Sequence, residues 1–253
     1  MKKSTKVILF SVVGGLLISK SALAADYNNA VGLGAGMAPD YEGSEDYKAF
    51  PMVFGRYSYG GGSYVMLRGN QLKWNFLGDS VQFGPFIQYR HARDDVDNDQ
   101  VDRMDDIDAG AEAGFFLTGV FGDWSTTLEF FADVSGEYDG YLVTLGGDYK
   151  AYAGEIVAIT VGVSTTYASD NYMETYFQVD AGNRGTSTLP DYSADDGEFK
   201  DVGVHMAADY SINDRWSIVG NLNYKLLLGD AEDSPIVEDD GQLFVGASGV
   251  YHF

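Results

Sequence analysis

The sequence predicts an all-β fold, a closed antiparallel transmembrane β-barrel of about twelve strands with long outer loops. Three observations lead to this prediction. Apolar and polar residues alternate along segments of about ten residues. The number of such segments is even, and their connections alternate between short turns and mostly long, acidic loops. A soluble secreted β-sandwich is the alternative, but nothing in a sandwich would sort its loops by length in this way.

The alternation is clearest between Val81 and Val134. Successive side chains of a strand point to opposite faces of the sheet, so a period of two indicates strands. Leu128 and Phe130, for example, fall on one face, and Glu129 falls on the other. An apolar face toward lipid and a polar face toward the lumen are typical of a membrane barrel.

The same pattern predicts the other strands in chain order. The predicted strands are Asn28–Met37, Ala49–Ser58, Tyr64–Arg68, Leu72–Phe76, Val81–His91, Asp106–Leu117, Trp124–Val134, Gly140–Lys150, Glu155–Tyr167, Phe199–Tyr210, Trp216–Leu228 and Gln242–Phe253. Counted from a periplasmic N-terminus, the inner turns are 59–62, 78–80, 119–122, 151–154 and 211–214, all short. The outer set is 39–47, 69–70, 92–105, 135–139, 169–198 and 229–241. Short periplasmic turns and longer outer loops are the asymmetry expected of outer-membrane barrels.

The first 24 residues are predicted to be a secretory signal peptide. A lysine-rich start precedes an apolar core at 7–18 that is too short to span a bilayer, and Ala22-Leu23-Ala24 fits a cleavage site. Cleavage after Ala24 would leave residues 25–253 as a barrel domain in the outer membrane of a Gram-negative bacterium. No later run of about 18 apolar residues predicts a transmembrane helix.

Composition narrows the range of functions. The chain has 38 acidic and 16 basic residues, a formal net charge of −22, so nucleic acid is not expected as a partner. It has no cysteine, which excludes disulfides and thiolate chemistry. His91, His205 and His252 lie on different predicted strands, so neither a metal trio nor a Ser-His-Asp set can be assembled. We expect no catalytic residue and no cofactor.

One acidic loop weakly resembles a calcium-binding loop. Asp95, Asp97, Asp99 and Asp106 fall at its positions 1, 3, 5 and 12, but Gln100 stands where such loops need glycine. A solvated acidic loop is the simpler interpretation, and no metal site is predicted. Loose bridging by Ca²⁺ or Mg²⁺ to lipopolysaccharide phosphates is the alternative.

A polar network is predicted on the lumen face. Its members by alternation are Arg90, Asp108, Glu112, Glu129, Asp133, Asp148, Lys150, His205, Asp209 and Lys225. In one interpretation these charges pair across strands and fill a narrow barrel. In the other, the acids stand free around water and the barrel is a small pore that prefers cations.

The last predicted strand ends on Phe253, with Tyr251 on the same face. A terminal aromatic strand suits recognition by the barrel assembly machinery as an outer-membrane insertion signal. The finished barrel is expected to contact outer-membrane lipid and lipopolysaccharide.

Five motifs are spread over nearly the whole mature chain. They are Gly34-x-Gly36 followed by Pro39-Asp40-Tyr41-Glu42-Gly43-Ser44; Gly84-Pro85 with Tyr89-Arg90; Val101-x-x-Met104 with Ile107-Asp108; Tyr172-x-x-x-Tyr176-Phe177; and Leu227-Leu228-Gly229-Asp230-Ala231-x-Asp233-Ser234-Pro235-Ile236-Val237. Together they resemble the MipA/OmpV family of outer-membrane proteins. Gln178 departs from the glycine that usually follows the aromatic pair in that family.

The resemblance implies an outer-membrane protein with no family catalytic residue. The name-giving member is a scaffold that interacts with a membrane-bound lytic transglycosylase and a bifunctional murein synthase, so a murein hydrolase and a synthase are the implied partners. Other members are adhesion-related or porin-like, so a surface adhesin is a further alternative. Because murein enzymes are periplasmic, a scaffold contact would have to use the short turns.

The last motif is the most distinctive and lies in a predicted outer loop. Asp230, Asp233, Ser234 and Pro235 are its candidate residues for a partner or ligand contact. Turn chemistry that folds the loop inward is the alternative.

Overall fold

The computed structural model describes residues 29–253, which form twelve strands and two helices. The strands are β1 (Ala30–Pro39), β2 (Tyr47–Gly60), β3 (Ser63–Arg68), β4 (Gln71–Asn75), β5 (Val81–Arg90), β6 (Gly110–Phe121), β7 (Trp124–Asp133), β8 (Tyr141–Ala153), β9 (Val157–Ala168), β10 (Glu198–Ser211), β11 (Trp216–Leu227) and β12 (Gly241–His252). The helices are α1 (Asp170–Phe177) and α2 (Gly229–Asp233). The predicted signal peptide and its cleavage after Ala24 lie outside the described residues.

The twelve strands form one closed sheet, in which each strand pairs antiparallel with its neighbours in the chain. β1 and β12 complete the circle, with a register that runs from Ala30 opposite His252 to Met37 opposite Val245. Closure pairs the backbone of both terminal strands, which a sheet surrounded by lipid requires. The predicted closed antiparallel barrel is therefore confirmed.

The outer surface of the barrel is apolar, as the alternation predicts. Leu33, Phe115 and Val163 are exposed along the strands and point away from the lumen. Exposed aromatic side chains gather toward both rims: Trp74, Phe76, Phe121, Trp124, Tyr152 and Trp216 at one, and Tyr47, Tyr89, Tyr141 and Phe199 at the other. Two such girdles are typical of the two membrane–water interfaces. Within 29–253, neither helix is long and apolar enough to cross a membrane.

The connections sort by length, as predicted, with the two-residue connection 69–70 as the exception. Five short turns, at 61–62, 76–80, 122–123, 154–156 and 212–215, lie at one end, here termed the turn end. The opposite or loop end carries 40–46, 69–70, 91–109, 134–140, 169–197 and 228–240. In outer-membrane barrels the short turns are periplasmic, so the loop end faces outward from the cell.

Helix α1 departs from the sequence-based prediction, which treated 169–198 as a polar segment with an apolar patch. Ser169 is its N-cap, and its side chain accepts a hydrogen bond from the Tyr172 backbone N–H at 3.5 Å. Tyr172, Met173, Tyr176 and Phe177 are buried and share one helical face. A helix of eight residues is too short for its period to be recognised within a polar segment.

Apolar side chains fill the lumen at two levels. At the loop end, α1 packs in one cluster with Phe86, Phe116, Phe131 and Leu142. Toward the turn end, a second cluster contains Ala30, Phe54, Tyr64, Met66, Val219 and Val250. Phe116 and Phe131 are each 2% exposed. At both levels these side chains pack against one another inside the barrel.

Candidate functional site

The loop half of the lumen is closed by a network around Arg90. Its Nε lies 2.5 Å from Glu112 Oε1, and its Nη1 donates to the Tyr172 hydroxyl at 3.1 Å. Tyr138 donates to the same Glu112 oxygen at 2.6 Å. The guanidinium carbon also lies 5.0 to 5.7 Å from the ring centroids of Tyr172, Tyr176 and Tyr138. One carboxylate and three aromatic faces thus hold Arg90 and tie the barrel wall to α1.

The tyrosines of this network remain neutral hydrogen-bond donors. Burial raises the pKa of Tyr138 and Tyr172 above the ordinary value of 10.0, and it raises the pKa of Tyr176 to about 12. The neighbouring carboxylates raise these pKa values further, because a negative charge disfavours a phenolate. The hydroxyl groups therefore keep their protons and their hydrogen bonds at physiological pH.

A second ionic cluster joins the first outer loop to β10 and β11. Lys200 forms ion pairs with Glu42 and, at 2.8 Å, with Asp201. Lys225 lies 3.3 Å from the same Asp201 oxygen. The Tyr172 hydroxyl donates to Glu42 Oε2 at 2.7 Å, which connects this cluster to Arg90. Burial alone would raise the pKa of Glu42, but the positive charges of Lys200 and Lys225 hold it below its ordinary value of 4.5.

His205 and Asp148 meet across Gly162, nearer the turn end. Gly162 lies opposite Asp148 on one side and opposite His205 on the other. His205 Nε2 lies 2.7 Å from Asp148 Oδ1. A Cβ on Gly162 would lie 2.3 Å from that nitrogen. Glycine is therefore what lets side chains two strands apart pair over the middle strand.

Lys73 of β4 and Glu129 of β7 form a further buried ion pair. The Lys73 ammonium also lies 5.5 Å from the ring centroid of Phe86 and 5.1 Å from that of Phe116. Two strands separate β4 from β7, so the pair reaches across the curved wall. Its aromatic surroundings exclude water from this part of the lumen.

Two residues of the predicted lumen network need correction. Asp108 is exposed in the loop before β6, because the strand begins only after it. Asp133 ends β7 and accepts the backbone N–H groups of Ser135 and Tyr138, both at 2.8 Å, so it shapes the next loop. Lys150 shares the lumen face with Asp148, as the alternation predicts; it is half-buried near the turn end, and its ammonium forms no ion pair with the residues that the structure describes.

Asp209, Ser217 and His252 form a polar cluster at the turn end. Ser217 Oγ lies 3.1 Å from His252 Nε2, and Asp209 contacts Ser217. The serine stands between the acid and the imidazole, whereas a hydrolytic triad needs the imidazole in the middle. All three side chains are buried. The arrangement suits a structural role.

The motif of the last loop folds over the lumen. Its candidate contact residues are Asp230, Asp233, Ser234 and Pro235. Ser234 Oγ donates to the Phe177 carbonyl of α1 at 2.6 Å, and the Tyr41 hydroxyl donates to the Ile236 carbonyl at 3.0 Å. Ile236 is fully buried beneath the loop. The motif thus joins the first, fifth and sixth outer loops.

The acidic loops form no recognisable metal centre. Across 29–253, no group of three or more histidine or acidic side chains is arranged to hold a metal ion. In the weak calcium-loop match, Asp95, Asp97, Asp99 and Asp106 are all exposed. Their geometry is that of a solvated acidic surface.

Sequence reasoning missed several members of the network. These are Glu42, Lys73, Tyr138, Tyr172, Lys200 and Asp201. Glu42 and Tyr172 each lie in one of the five sequence motifs, and that position was the only indication in the sequence that they could belong to the network. Lys73 lies in a short strand of only five residues, where alternation provides little information.

Known proteins match nearly the whole of the described chain. The family model described as MltA-interacting protein MipA matches residues 31–253. The outer membrane protein Omp26La of Vibrio anguillarum is 31% identical over 179 residues, which are 70% of this chain and 67% of that protein. The outer membrane protein OmpV of Vibrio cholerae serotype O1 is 30% identical over 187 residues, with the same shares of 70% and 67%. The MltA-interacting protein of Escherichia coli K12 is 25% identical over 98% of this chain and 100% of its own length.

Proposed function

The chain belongs to the MipA family and is an outer-membrane β-barrel, and from this premise we propose that it is a non-catalytic scaffold that binds other components of the cell envelope. The observation that carries the proposal is the closed lumen. Arg90 is bound to Glu112 and Tyr172, and α1 packs over the aromatic cluster below them. A barrel filled in this way offers surfaces for binding more readily than a path for solutes. The same packing disfavours the alternative of a small cation-preferring pore.

The proposed partner is a murein hydrolase, together with the synthase that works beside it. The support is the name of the Escherichia coli relative, an MltA-interacting protein that aligns with nearly the whole chain. Murein enzymes act in the periplasm, so the proposed contact uses the turn end.

The charge of the turn end suggests how such a partner would bind. Its exposed charged side chains are Asp79, Asp123, Glu155, Asp214 and Arg215. Within 29–253, the four carboxylates come from four different turns, and Arg215 is the one exposed cation at this end. Such a rim complements a basic surface on the partner, and binding through it weakens as salt rises.

The experiment is a pull-down of a purified membrane-bound lytic transglycosylase by the detergent-solubilised barrel. A turn variant carries Asp79→Asn, Asp123→Asn, Glu155→Gln and Asp214→Asn. A matched loop variant carries Asp95→Asn, Asp97→Asn, Asp99→Asn and Asp102→Asn, which neutralise four exposed acids at the opposite end. We expect the enzyme to be retained by the wild type and the loop variant and lost by the turn variant. Absence of retention by the wild type, or equal retention by both variants, counts against the proposal.

The proposed contacts with the barrel assembly machinery and with membrane lipid use the outer face of the barrel. Tyr251 and Phe253 stack at 6.2 Å between ring centroids at the end of β12. An aromatic end of the closing strand is a suitable recognition element for the barrel assembly machinery. The aromatic girdles would lie against outer-membrane lipid and the lipid part of lipopolysaccharide.

A further inference from the structure

A cavity of about 210 Å³ lies inside the barrel, between side chains of the loop-end apolar cluster, such as Phe131, and the outer loops. The first outer loop, the end of β5, α1 and strands β8 to β12 contribute to its walls. This volume is far above the roughly 10–15 Å³ that one buried water needs. It is large enough for a small organic ligand.

Positive charge predominates in the lining of this cavity, although the protein is strongly acidic. The positively charged lining residues are Arg90, Arg93, Lys200 and Lys225, and the negatively charged ones are Asp40 and Glu42. Asp40 is already bound to Lys48, at 2.7 Å. Arg93 is buried and donates to the Tyr176 carbonyl at 3.0 Å, but forms no ion pair within 29–253. Glu112 and Asp201 lie beside the lining and pair with Arg90, Lys200 and Lys225, so the excess is a single positive charge, which one anionic group would balance.

Lys225 is the cation most available to a ligand. Its side chain is 23% exposed, and its only ion-pair partner in the described chain is Asp201, at 3.3 Å. An ammonium group has three N–H donors, so two remain free. Arg90 is 17% exposed, and its Nε and Nη1 are engaged, which leaves the Nη2 end of the guanidinium.

The rest of the lining suits a hydroxylated ligand. Side-chain amides and hydroxyls are contributed by Gln88, Thr144, Thr166, Asn223 and Gln242. Tyrosine rings are contributed by Tyr41, Tyr172 and Tyr176. Amides and hydroxyls donate and accept hydrogen bonds as sugar hydroxyls require. The tyrosine rings, which are held by Arg90 and by one another, add an apolar part of the wall beside them.

We propose that this cavity is a binding site for a carbohydrate that carries one acidic group, a carboxylate or a phosphate. The acidic group lies against Lys225 and the free end of Arg90, and the sugar ring lies among the tyrosines and amides. Residues of the first and third outer loops line the site, whereas the proposed murein-enzyme contact uses the turn end. The two proposals can therefore fail independently.

The test is isothermal titration calorimetry on the full barrel in detergent micelles. The probes are glucuronate, glucose 6-phosphate, glucose and glucosamine, which separate a carboxylate, a phosphate, a neutral sugar and a cationic one. We expect at least one of the two acidic sugars to bind about tenfold or more tightly than glucose, and glucosamine to bind no better than glucose. The acidic probe that binds more tightly identifies the acidic group.

Two variants test the location. Lys225→Met removes the available ammonium, and Asn223→Asp adds a carboxylate two residues away on the same face of β11. Each should weaken binding of the acidic sugar about tenfold or more. Lys150→Met, at the far end of the barrel, is the matched control and should leave binding unchanged. The proposal is overturned if neither acidic sugar binds the wild type, if all four sugars bind equally, or if Asn223→Asp and Lys150→Met behave alike.

Discussion

Arg90 Nε lies 2.5 Å from Glu112 Oε1, and Glu112 is 1% exposed. Gln88 supplies a second bond to the same carboxylate, at 2.5 Å, and Tyr138 supplies a third, at 2.6 Å. A buried carboxylate needs this compensation, because leaving a charge unpaired in a dry interior is costly. The pair therefore links the closure of the lumen to the stability of the barrel.

Arg90→Met is expected to destabilise the folded barrel by about 3–5 kcal/mol, because it leaves Glu112 buried without its counter-charge. The measurement is reversible urea unfolding in lipid vesicles. The double variant Arg90→Met, Glu112→Leu removes both charges and should recover part of the loss. Arg103→Met changes an exposed arginine of an outer loop and is the control. If Arg90→Met unfolds at the same urea concentration as Arg103→Met, the pair does not have the stabilising role described above.

Gly162→Ala is expected to disrupt the His205–Asp148 pair. The new methyl group would lie 2.3 Å from His205 Nε2 and 2.8 Å from Asp148 Oδ1, so one side chain must move. Overpacking of this kind costs about 1–3 kcal/mol. Gly147→Ala is the matched control, because nothing lies within 4 Å of a Cβ at that position. Equal unfolding free energies for the two alanine variants would show that the close approach at Gly162 is unimportant.

The contact between Glu42 and Lys200 should make loop closure depend on pH. The pKa of Glu42 is lower in the folded state than its ordinary value of 4.5. A depressed carboxyl pKa contributes stability above the unfolded-state pKa, and this stability is lost as the pH falls through the folded-state pKa.

Limited proteolysis of the outer loops by pepsin is the measurement for this pH dependence. Cleavage of the wild type should increase as the pH falls through the lowered pKa of Glu42, below its ordinary value of 4.5. Glu42→Gln should be cleaved more readily at higher pH, with a weaker pH dependence. A wild-type cleavage profile that Glu42→Gln reproduces at every pH would exclude Glu42 as the titrating group.

The barrel itself could be predicted because its signal is local. Leu128, Glu129 and Phe130 face alternately outward and inward as the pattern of their own strand requires. Contacts between adjacent strands could be predicted for the same reason, and Arg90 and Glu112 do lie on paired strands.

Contacts across several strands could not be predicted in this way. Lys73 and Glu129 meet over two intervening strands, which depends on how far the strands stagger when the barrel closes. The contact between α1 and the barrel wall is equally non-local, because Tyr172 lies 82 residues from Arg90 along the chain. Its short helix gains stability mainly from the lumen wall, so its own sequence has little helical signal.

Planar-bilayer recording of the purified wild-type protein tests the closed lumen most directly. Insertion should be verified by flotation of the lipid vesicles that deliver the protein to the bilayer, which measures how much barrel protein they carry. With Arg90 and α1 in place, we predict that the inserted protein carries no stepwise ionic current across the range of voltages that the bilayer tolerates. Reproducible, cation-selective current steps from the wild-type protein would contradict the closed lumen and would favour the pore.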